Sequence, residues 1–336
     1  MNKQVTDIEK AIFTINDASF EALAIEVFLF QYEQNKIYRQ FCEALKIIPS
    51  AVTDIAQIPF LPIQFFKSKE VCSTSFEPAV IFESSGTSGS VNSRHLVKKV
   101  QLYEESFFTT FQQFYGDVTK LCILGLLPSY LEKGSSSLVY MVNELVKKSA
   151  IANSGFYLYD LEKLSQTLQE NERANTKTLL IGVTYALLDF ADKYPMQLKN
   201  TVVMETGGMK GRREEITREE VHAQLTARLG LTDIHSEYGM TELLSQAYST
   251  GNGVFASPPW LKILLRSEDD PFNIVGKGHI QKAYATGVIN VIDLANLYSC
   301  SFIATDDVGK LYPDDSFEVL GRLDNSDIRG CGLMIL

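Results

Sequence analysis

Short apolar runs alternate with helical patterns from Ala79 to Leu231, and this alternation constrains the fold more than any other feature of the sequence. Apolar residues recur at helical spacing between the runs, as at Val221, Leu225 and Leu229. The runs are short enough for buried strands, and they cover residues 79–82, 121–127, 178–183 and 201–204. Strand–helix alternation predicts an α/β fold in which helices pack on a sheet.

The sequence on either side of this region has a different pattern. The first fifty residues are helical in periodicity, and the two prolines of Ile58–Pro62 then favour an extended connector. After Tyr248 the periodicity fades, and short strands separated by Gly, Pro and Asp turns are predicted. We therefore predict four segments: an N-terminal helical segment 1–57, an α/β core 58–248, a β-rich subdomain 249–330 that completes the same body, and a C-terminal tail 331–336.

Composition excludes several classes of protein. The 31 Lys and Arg are outnumbered by 41 Asp and Glu, and the resulting net charge of −10 argues against general binding to nucleic acid. The N-terminus has no apolar signal core, and no apolar run approaches the ~18 residues that span a bilayer. The five cysteines are scattered without a C-x-x-C pair, so neither a zinc site nor a disulfide framework is indicated. We expect a cytoplasmic protein.

A run of small and hydroxyl-bearing residues directly follows the first predicted strand. Small residues let the backbone approach an anion closely, and hydroxyl and N–H groups can cradle phosphate oxygens. The G-x-x-x-x-G-K-[ST] spacing of a Walker A loop and its lysine are missing. Two interpretations stand, a phosphate-binding loop or a flexible surface loop, for the residues Ser84, Ser85, Gly86, Thr87, Ser88, Gly89 and Ser90.

Three further motifs follow in order along the chain. The first is H-S-E-Y-G-M-T-E at 235–242, where an aromatic ring can meet a base while Thr241 and Glu242 meet a phosphate and its Mg²⁺. The second is T-D-D at 305–307, whose carboxylate can bind ribose hydroxyls. The third is G-R-L-D at 321–324. Each motif taken alone is also typical of a surface loop.

In this order the four motifs resemble those of the adenylate-forming superfamily of acyl-CoA synthetases and peptide-synthetase adenylation domains. The resemblance begins near Ile58 and implies the N-terminal body of these enzymes, with α/β subdomains and a β-rich subdomain. It implies that the Ser/Thr/Gly loop holds the β- and γ-phosphates of ATP, that Thr241 touches the α-phosphate, and that Glu242 binds Mg²⁺. At adenine it implies contacts from Tyr238, Gly239, Gly207 and Gly208. At the ribose it implies that Asp307 binds the hydroxyls and that Arg322 assists it.

The end of the chain resembles one branch of that superfamily, the acyl-protein synthetases of LuxE type, which are relatives of phenylacetate–CoA ligases. Such chains lack the usual C-terminal domain and are acylated on a cysteine near the C-terminus. The stretch 327–332, which contains Cys331 between two glycines, is similar to that site, and 58–63 and 205–211 also resemble the branch. The alternative is that Cys331 is a small apolar residue of the core.

The resemblance implies an ATP- and Mg²⁺-dependent acid–thiol ligase. Such an enzyme converts a carboxylic acid, which we expect to be a fatty acid, to an acyl-adenylate. It then holds the acyl group as a thioester on Cys331 and delivers it to a partner such as an acyl reductase. One alternative is a ligase that forms an acyl-CoA or an acyl carrier protein thioester. Another is a non-catalytic nucleotide-binding subunit, which the missing lysine of the usual C-terminal domain favours.

Overall fold

The computed structural model describes residues 2–84, 91–128, 134–207, 216–276, 278, 280 and 282–323. The chain divides into two compact units, each assembled from segments that are separate in sequence. Unit 1 contains the described residues of 1–110, 239–246 and 256–323, and unit 2 contains those of 111–238 and 247–255. The four segments predicted from sequence remain a prediction.

The helices and strands are numbered in chain order. The helices are α1 (Asn2–Ile12), α2 (Asp17–Gln34), α3 (Lys36–Ala44), α4 (Phe65–Ser68), α5 (Val100–Tyr115), α6 (Ser137–Lys148), α7 (Leu161–Arg173), α8 (Thr184–Lys193) and α9 (Arg218–Leu229). The strands are β1 (Leu61–Pro62), β2 (Val80–Glu83), β3 (Arg94–Val97), β4 (Cys122–Leu126), β5 (Gly155–Phe156), β6 (Thr178–Val183), β7 (Thr201–Thr206), β8 (His235–Tyr238), β9 (Ala247–Ser249), β10 (Val254–Ala256), β11 (Leu261–Arg266), β12 (Ile274–Val275), β13 (Ala285–Asp293), β14 (Phe302–Leu311) and β15 (Phe317–Arg322). Within the described ranges, every helix is too short or too polar to cross a membrane.

Unit 2 contains the α/β layer that the alternation predicts. Its strands β5, β4, β6, β7 and β8 lie side by side in that order and are parallel, and β9 joins β8 antiparallel. Every residue of β4 and β6 is buried, as expected for central strands of a covered parallel sheet. Helix α9 begins with a capping box between Thr217 and Glu220 and ends at Gly230, whose φ of 66° suits a left-handed cap.

Unit 1 contains the β-rich part predicted after Tyr248. The strands β12, β11, β13, β14 and β15 form an antiparallel sheet in that order, and β1 pairs parallel with β14. Helix α2 begins with a capping box in which the side chain of Asn16 accepts the N–H of Ser19. The helix buries Phe20, Val27 and Phe28, so the helical periodicity predicted for the first fifty residues is confirmed here.

One strand differs from its prediction. Residues 79–82 were expected to form a buried strand, but β2 at Val80–Glu83 pairs with β3 in a separate two-stranded antiparallel sheet. Only Phe82 of this strand is buried. A four-residue apolar run is short enough to form either a central strand or one strand of an antiparallel pair. Here the chain returns at Arg94 as β3 and pairs antiparallel with β2.

Candidate active site

The Ser/Thr/Gly loop is closed at its base by two serines of unit 1. The N–H of Ser84 donates to the carbonyl of Ser93 at 3.1 Å, and the N–H of Ser93 donates to Ser84 Oγ at 2.9 Å. These two hydrogen bonds continue the β2–β3 pairing to the point where the loop leaves it. Ser85, Gly86, Thr87, Ser88, Gly89 and Ser90 lie outside the described residues.

Glu242 lies at the base of this loop. Its residue is only 5% exposed, and the hydroxyl of Ser93 hydrogen-bonds to its carboxylate. Burial raises the pKa of Glu242, while the Ser93 hydrogen bond and the positive charges of Arg322 and Lys67 act in the opposite direction. The structure therefore brings the base of the first motif, the glutamate of the second and the arginine of the fourth into one neighbourhood.

Asp307 and Arg322, both predicted at the ribose, lie directly opposite each other on β14 and β15. The Nε of Arg322 donates to Asp307 Oδ1 at 3.1 Å. Asp307 is 6% exposed, whereas the side chain of Arg322 is 75% exposed. The pair thus presents a buried carboxylate that is oriented by a guanidinium at the surface.

A bulge in β14 places the T-D-D motif. Its residues Thr305–Asp307 face the single residue Ile289 of β13. Thr305 Oγ1 donates to the Ile289 carbonyl at 2.8 Å and accepts the N–H of Asp307 at 3.1 Å. The guanidinium of Arg266 donates to the carbonyls of Ile289 and Thr305 at 3.1 and 2.6 Å. These contacts occupy backbone groups that the bulge removes from the ladder.

Two of the predicted adenine contacts, Tyr238 and Gly207, lie in unit 2. Tyr238 ends β8, is 9% exposed and lies with its ring centroid 5.9 Å from that of Phe255. Gly207 follows β7 with a φ of 67°, a conformation that favours glycine, and its carbonyl accepts a hydrogen bond from the hydroxyl of Thr184. Gly208 lies outside the described residues.

Two carboxylates near the ends of neighbouring parallel strands of unit 2 were missed by the sequence analysis. Burial raises the pKa of Glu237 on β8 to about 7, although Thr206 Oγ1 donates to its carboxylate at 2.7 Å. Burial also acts to raise the pKa of Glu205 on β7, but a hydrogen bond from His222 and the charge of Arg218 outweigh it and lower that pKa. The signal available in the sequence was the position of both residues at strand ends, where polar side chains of parallel sheets collect.

The predicted site residues therefore fall into three groups. Unit 1 contains Ser84, Gly239, Thr241, Glu242, Asp307 and Arg322, and unit 2 contains Gly207 and Tyr238. The remaining predicted residues, Cys331 among them, lie outside the described part of the chain. The sequence analysis assigned no role to Ser93. This serine directly precedes β3, a few residues after the Ser/Thr/Gly loop, and that position could have identified it.

Comparison with known proteins identifies the family of the chain. The family model described as acyl-protein synthetase, LuxE, matches residues 15–336. The chain belongs to the LuxE acyl-protein synthetase family. The ligase class expected from the sequence is therefore confirmed, as is the adenylate-forming body as the fold.

Several relatives of this LuxE-family chain are known individually. A long-chain-fatty-acid–luciferin-component ligase of Vibrio harveyi is 23% identical over 327 residues, with 90% of this chain and 84% of that protein covered. The crystal structure of a 2-hydroxyisobutyryl-CoA ligase superimposes with a TM-score of 0.60 at 10% identity, covering 94% of this chain and 70% of that one. The crystal structure of ATP-bound MatB from Rhodopseudomonas palustris superimposes with a TM-score of 0.51 at 16% identity. The match covers 82% of this chain and 52% of MatB. The LuxE-family chain thus spans about half the length of MatB.

The raised pKa of Glu237 predicts how stability depends on pH. The folded protein holds the proton up to about pH 7, whereas the unfolded chain releases it near 4.5. The stabilisation is therefore complete below pH 4.5 and is lost as the pH rises through 7. We expect Glu237→Gln to gain on the order of 3 kcal/mol over wild type between pH 4.5 and 8.

Urea unfolding of both proteins across this pH range measures the difference. The amide keeps an oxygen that can accept the hydrogen bond from Thr206, and the other titrating groups are common to both proteins, so their contributions cancel. Parallel stability curves for wild type and Glu237→Gln would show that this carboxyl does not titrate abnormally.

Proposed function

We propose that this LuxE-family chain activates a fatty acid with ATP and then captures the acyl group as a thioester on Cys331. The observation that carries the first step is the neighbourhood of Glu242, where the base of the Ser/Thr/Gly loop and the cationic groups of Lys67 and Arg322 surround a buried carboxylate. Membership of a family described as acyl-protein synthetases supports activation of an acid by ATP. The V. harveyi relative, named as a long-chain-fatty-acid ligase, supports a fatty acid as substrate.

The first step is an exchange at the α-phosphorus of ATP. A carboxylate oxygen of the acid forms a bond to that phosphorus, the bond to the bridging oxygen breaks, and pyrophosphate leaves with the electron pair. Such a reaction is accelerated chiefly by positioning and by charge stabilisation. In this chain the Ser84–Ser93 base would position the loop at the leaving phosphates, and Asp307, oriented by Arg322, would hold the ribose.

The donor set at Glu242 fits Mg²⁺. A carboxylate and a serine hydroxyl are hard oxygen donors of the kind that Mg²⁺ prefers, and Mg²⁺ commonly combines one or two carboxylates with substrate phosphates. In the described ranges no group of three or more His, Cys, Asp or Glu side chains forms a metal site of its own. Glu242 would therefore hold the ion together with the nucleotide, and the ion would neutralise charge on the phosphates.

The second step needs a thiolate. The thiolate attacks the acyl carbonyl carbon of the acyl-adenylate. The bond between that carbon and the phosphate oxygen breaks, AMP leaves, and a thioester forms. Burial raises the pKa of Cys42 to about 12 and of Cys72 to about 11, and it also raises the pKa values of Cys122 and Cys300. These four thiols are consequently poor nucleophiles at neutral pH, which supports Cys331 as the acceptor. The thioester would then pass to a partner such as an acyl reductase or an acyl carrier protein.

A ligase that delivers the acyl group to coenzyme A is the second candidate. The observation that favours it is the likeness to 2-hydroxyisobutyryl-CoA ligase, whose structure covers 94% of this chain. In that case Cys331 would have no role in transfer. The two candidates share the adenylation step and differ only in the thiol that receives the acyl group.

Removal of the charge at Glu242 tests the adenylation step. We expect wild-type protein to release pyrophosphate from ATP only when a fatty acid and Mg²⁺ are present, and Glu242→Gln to lower kcat by ~100-fold or more because an electrostatic contact made in the transition state is lost. The matched control is Glu43→Gln on the exposed face of α3 in the same unit, which should retain wild-type activity. Equal rates for the two variants would contradict the role of Glu242.

Intact-mass measurement tests the thioester. After incubation with ATP, Mg²⁺ and fatty acids of several lengths, wild-type protein should gain the mass of one acyl group, and hydroxylamine should remove it. Cys331→Ser should gain none yet still release pyrophosphate, whereas the control Cys72→Ser should be acylated like wild type. Acylation of Cys331→Ser to the wild-type extent would contradict the role of Cys331. Formation of acyl-CoA by Cys331→Ser at the wild-type rate, when coenzyme A is added, would favour the second candidate.

A further inference from the structure

We propose that three buried side chains of unit 1, His95, Asp293 and Asn296, act as positioning residues that hold the backbone of residues 241–245 and so place Thr241 and Glu242. They are called the 241–245 bracket below. None of them belongs to the four motifs, and none is expected to touch the nucleotide. The inference deepens the proposed function and rests on it, because it concerns the residues that this function assigns to the phosphates and the metal.

The segment that carries Thr241 and Glu242 needs external support. Residues 239–246 run between β8 and β9 without helix or strand, so they have no ladder of backbone hydrogen bonds. Residues 242–246 are nevertheless all buried. Buried backbone groups must find partners, since an unpaired buried carbonyl or N–H is costly. The bracket supplies these partners from side chains of unit 1.

The first arm of the bracket binds two successive carbonyls. The ring Nδ1 of His95 lies 2.8 Å from the Thr241 carbonyl, and Nδ2 of Asn296 donates to the Glu242 carbonyl at 2.7 Å. The two side chains also meet each other, with His95 Nε2 lying 2.9 Å from Asn296 Oδ1. His95 is 1% exposed and Asn296 is fully buried, so water does not compete for these contacts.

His95 is neutral at pH 7. Burial lowers the pKa of its ring to about 4, against the opposing effect of the two hydrogen bonds. Both ring nitrogens face acceptor oxygens, the Thr241 carbonyl and Asn296 Oδ1, and the neutral ring has one N–H to donate between them. The bracket thus adds no positive charge to those of Lys67 and Arg322 near Glu242.

The second arm binds the donors that follow. Asp293 Oδ2 accepts the N–H of Leu244 at 2.7 Å, and its Oδ1 accepts the hydroxyl of Ser245 at 2.7 Å. Burial raises the pKa of Asp293 to about 6 although these hydrogen bonds oppose it. Residues 241, 242, 244 and 245 are thereby held by four contacts, one from His95 on β3 and three from the end of β13 and the turn after it.

The bracket is itself anchored to helix α2. Asn296 belongs to a single 3-10 turn, Leu294–Asn296, whose N-terminus is capped by Asp293. The carbonyls of Asn296 and Leu297 accept hydrogen bonds from Gln31 Nε2 at 3.1 and 2.9 Å. A rigid support of this kind is what a group acting on a transferring phosphate requires, because small displacements cost much of the rate.

The test uses the full chain with His95→Ala, His95→Asn and Asn296→Ala. Asparagine at 95 can place an amide N–H donor near the position of Nδ1, facing the Thr241 carbonyl, so it should rescue what alanine loses. The control is Asn171→Ala in unit 2, a buried asparagine that is 4% exposed and donates to Thr178 Oγ1 at 3.0 Å. Amide hydrogen exchange of residues 242–246 and steady-state pyrophosphate release are both measured.

We expect His95→Ala and Asn296→Ala to speed exchange of these amides at least ~10-fold and to lower kcat at least ~10-fold, with the KM for ATP changed less than ~3-fold. His95→Asn should recover most of both losses, and Asn171→Ala should change neither.

Unchanged exchange, a fall in kcat no larger than that of Asn171→Ala, or equal effects of His95→Asn and His95→Ala would each overturn the proposal. Wild-type protein without acid-dependent pyrophosphate release would instead contradict the proposed function, while hydrogen exchange would still decide whether the bracket holds the segment.

Discussion

The burial of the Glu242 carboxylate is the constraint on which the rest of the site depends. A charge removed from water is costly unless donors and cations surround it. Here Ser93 donates to it, and the charges of Lys67 and Arg322 favour its ionised form. Arg322 also binds Asp307, so one guanidinium serves two carboxylates that come from different motifs. The convergence of the motifs is thus an electrostatic requirement as well as a consequence of topology.

The second motif supplies residues to both units. Tyr238 ends a strand of unit 2, whereas Gly239, Thr241 and Glu242 belong to unit 1. Residues 239–242 thus follow β8 directly in sequence but belong to unit 1. The same arrangement explains why the supporting residues lie far away in sequence, in β3 and after β13, because they have to reach the segment from within unit 1.

Sequence predicted the class of the fold because periodicity reports burial directly. The runs that became β4 and β6 are almost entirely apolar, and both strands are buried at every position, as in the centre of a covered parallel sheet. The same reasoning misplaced residues 79–82, since a four-residue apolar run has no periodicity that distinguishes a central strand from a hairpin. The pairing of Asp307 with Arg322 was anticipated only through resemblance, because the register of β14 and β15 that places them opposite each other has no local signal in the sequence. His95, Asp293 and Asn296 carry no local signal, because their partners are backbone groups of any sequence.

The most direct test of the account is the binding of Mn²⁺ in the presence of ATP, measured by electron paramagnetic resonance on the full chain. If Glu242 and the nucleotide phosphates hold the metal together, Mn²⁺ should bind more tightly with ATP than without it. Glu242→Gln should then weaken the ATP-dependent binding by ~10-fold or more while Glu43→Gln leaves it unchanged. Equal Mn²⁺ affinities for wild type and Glu242→Gln in the presence of ATP would contradict the claim that the site is built around this carboxylate.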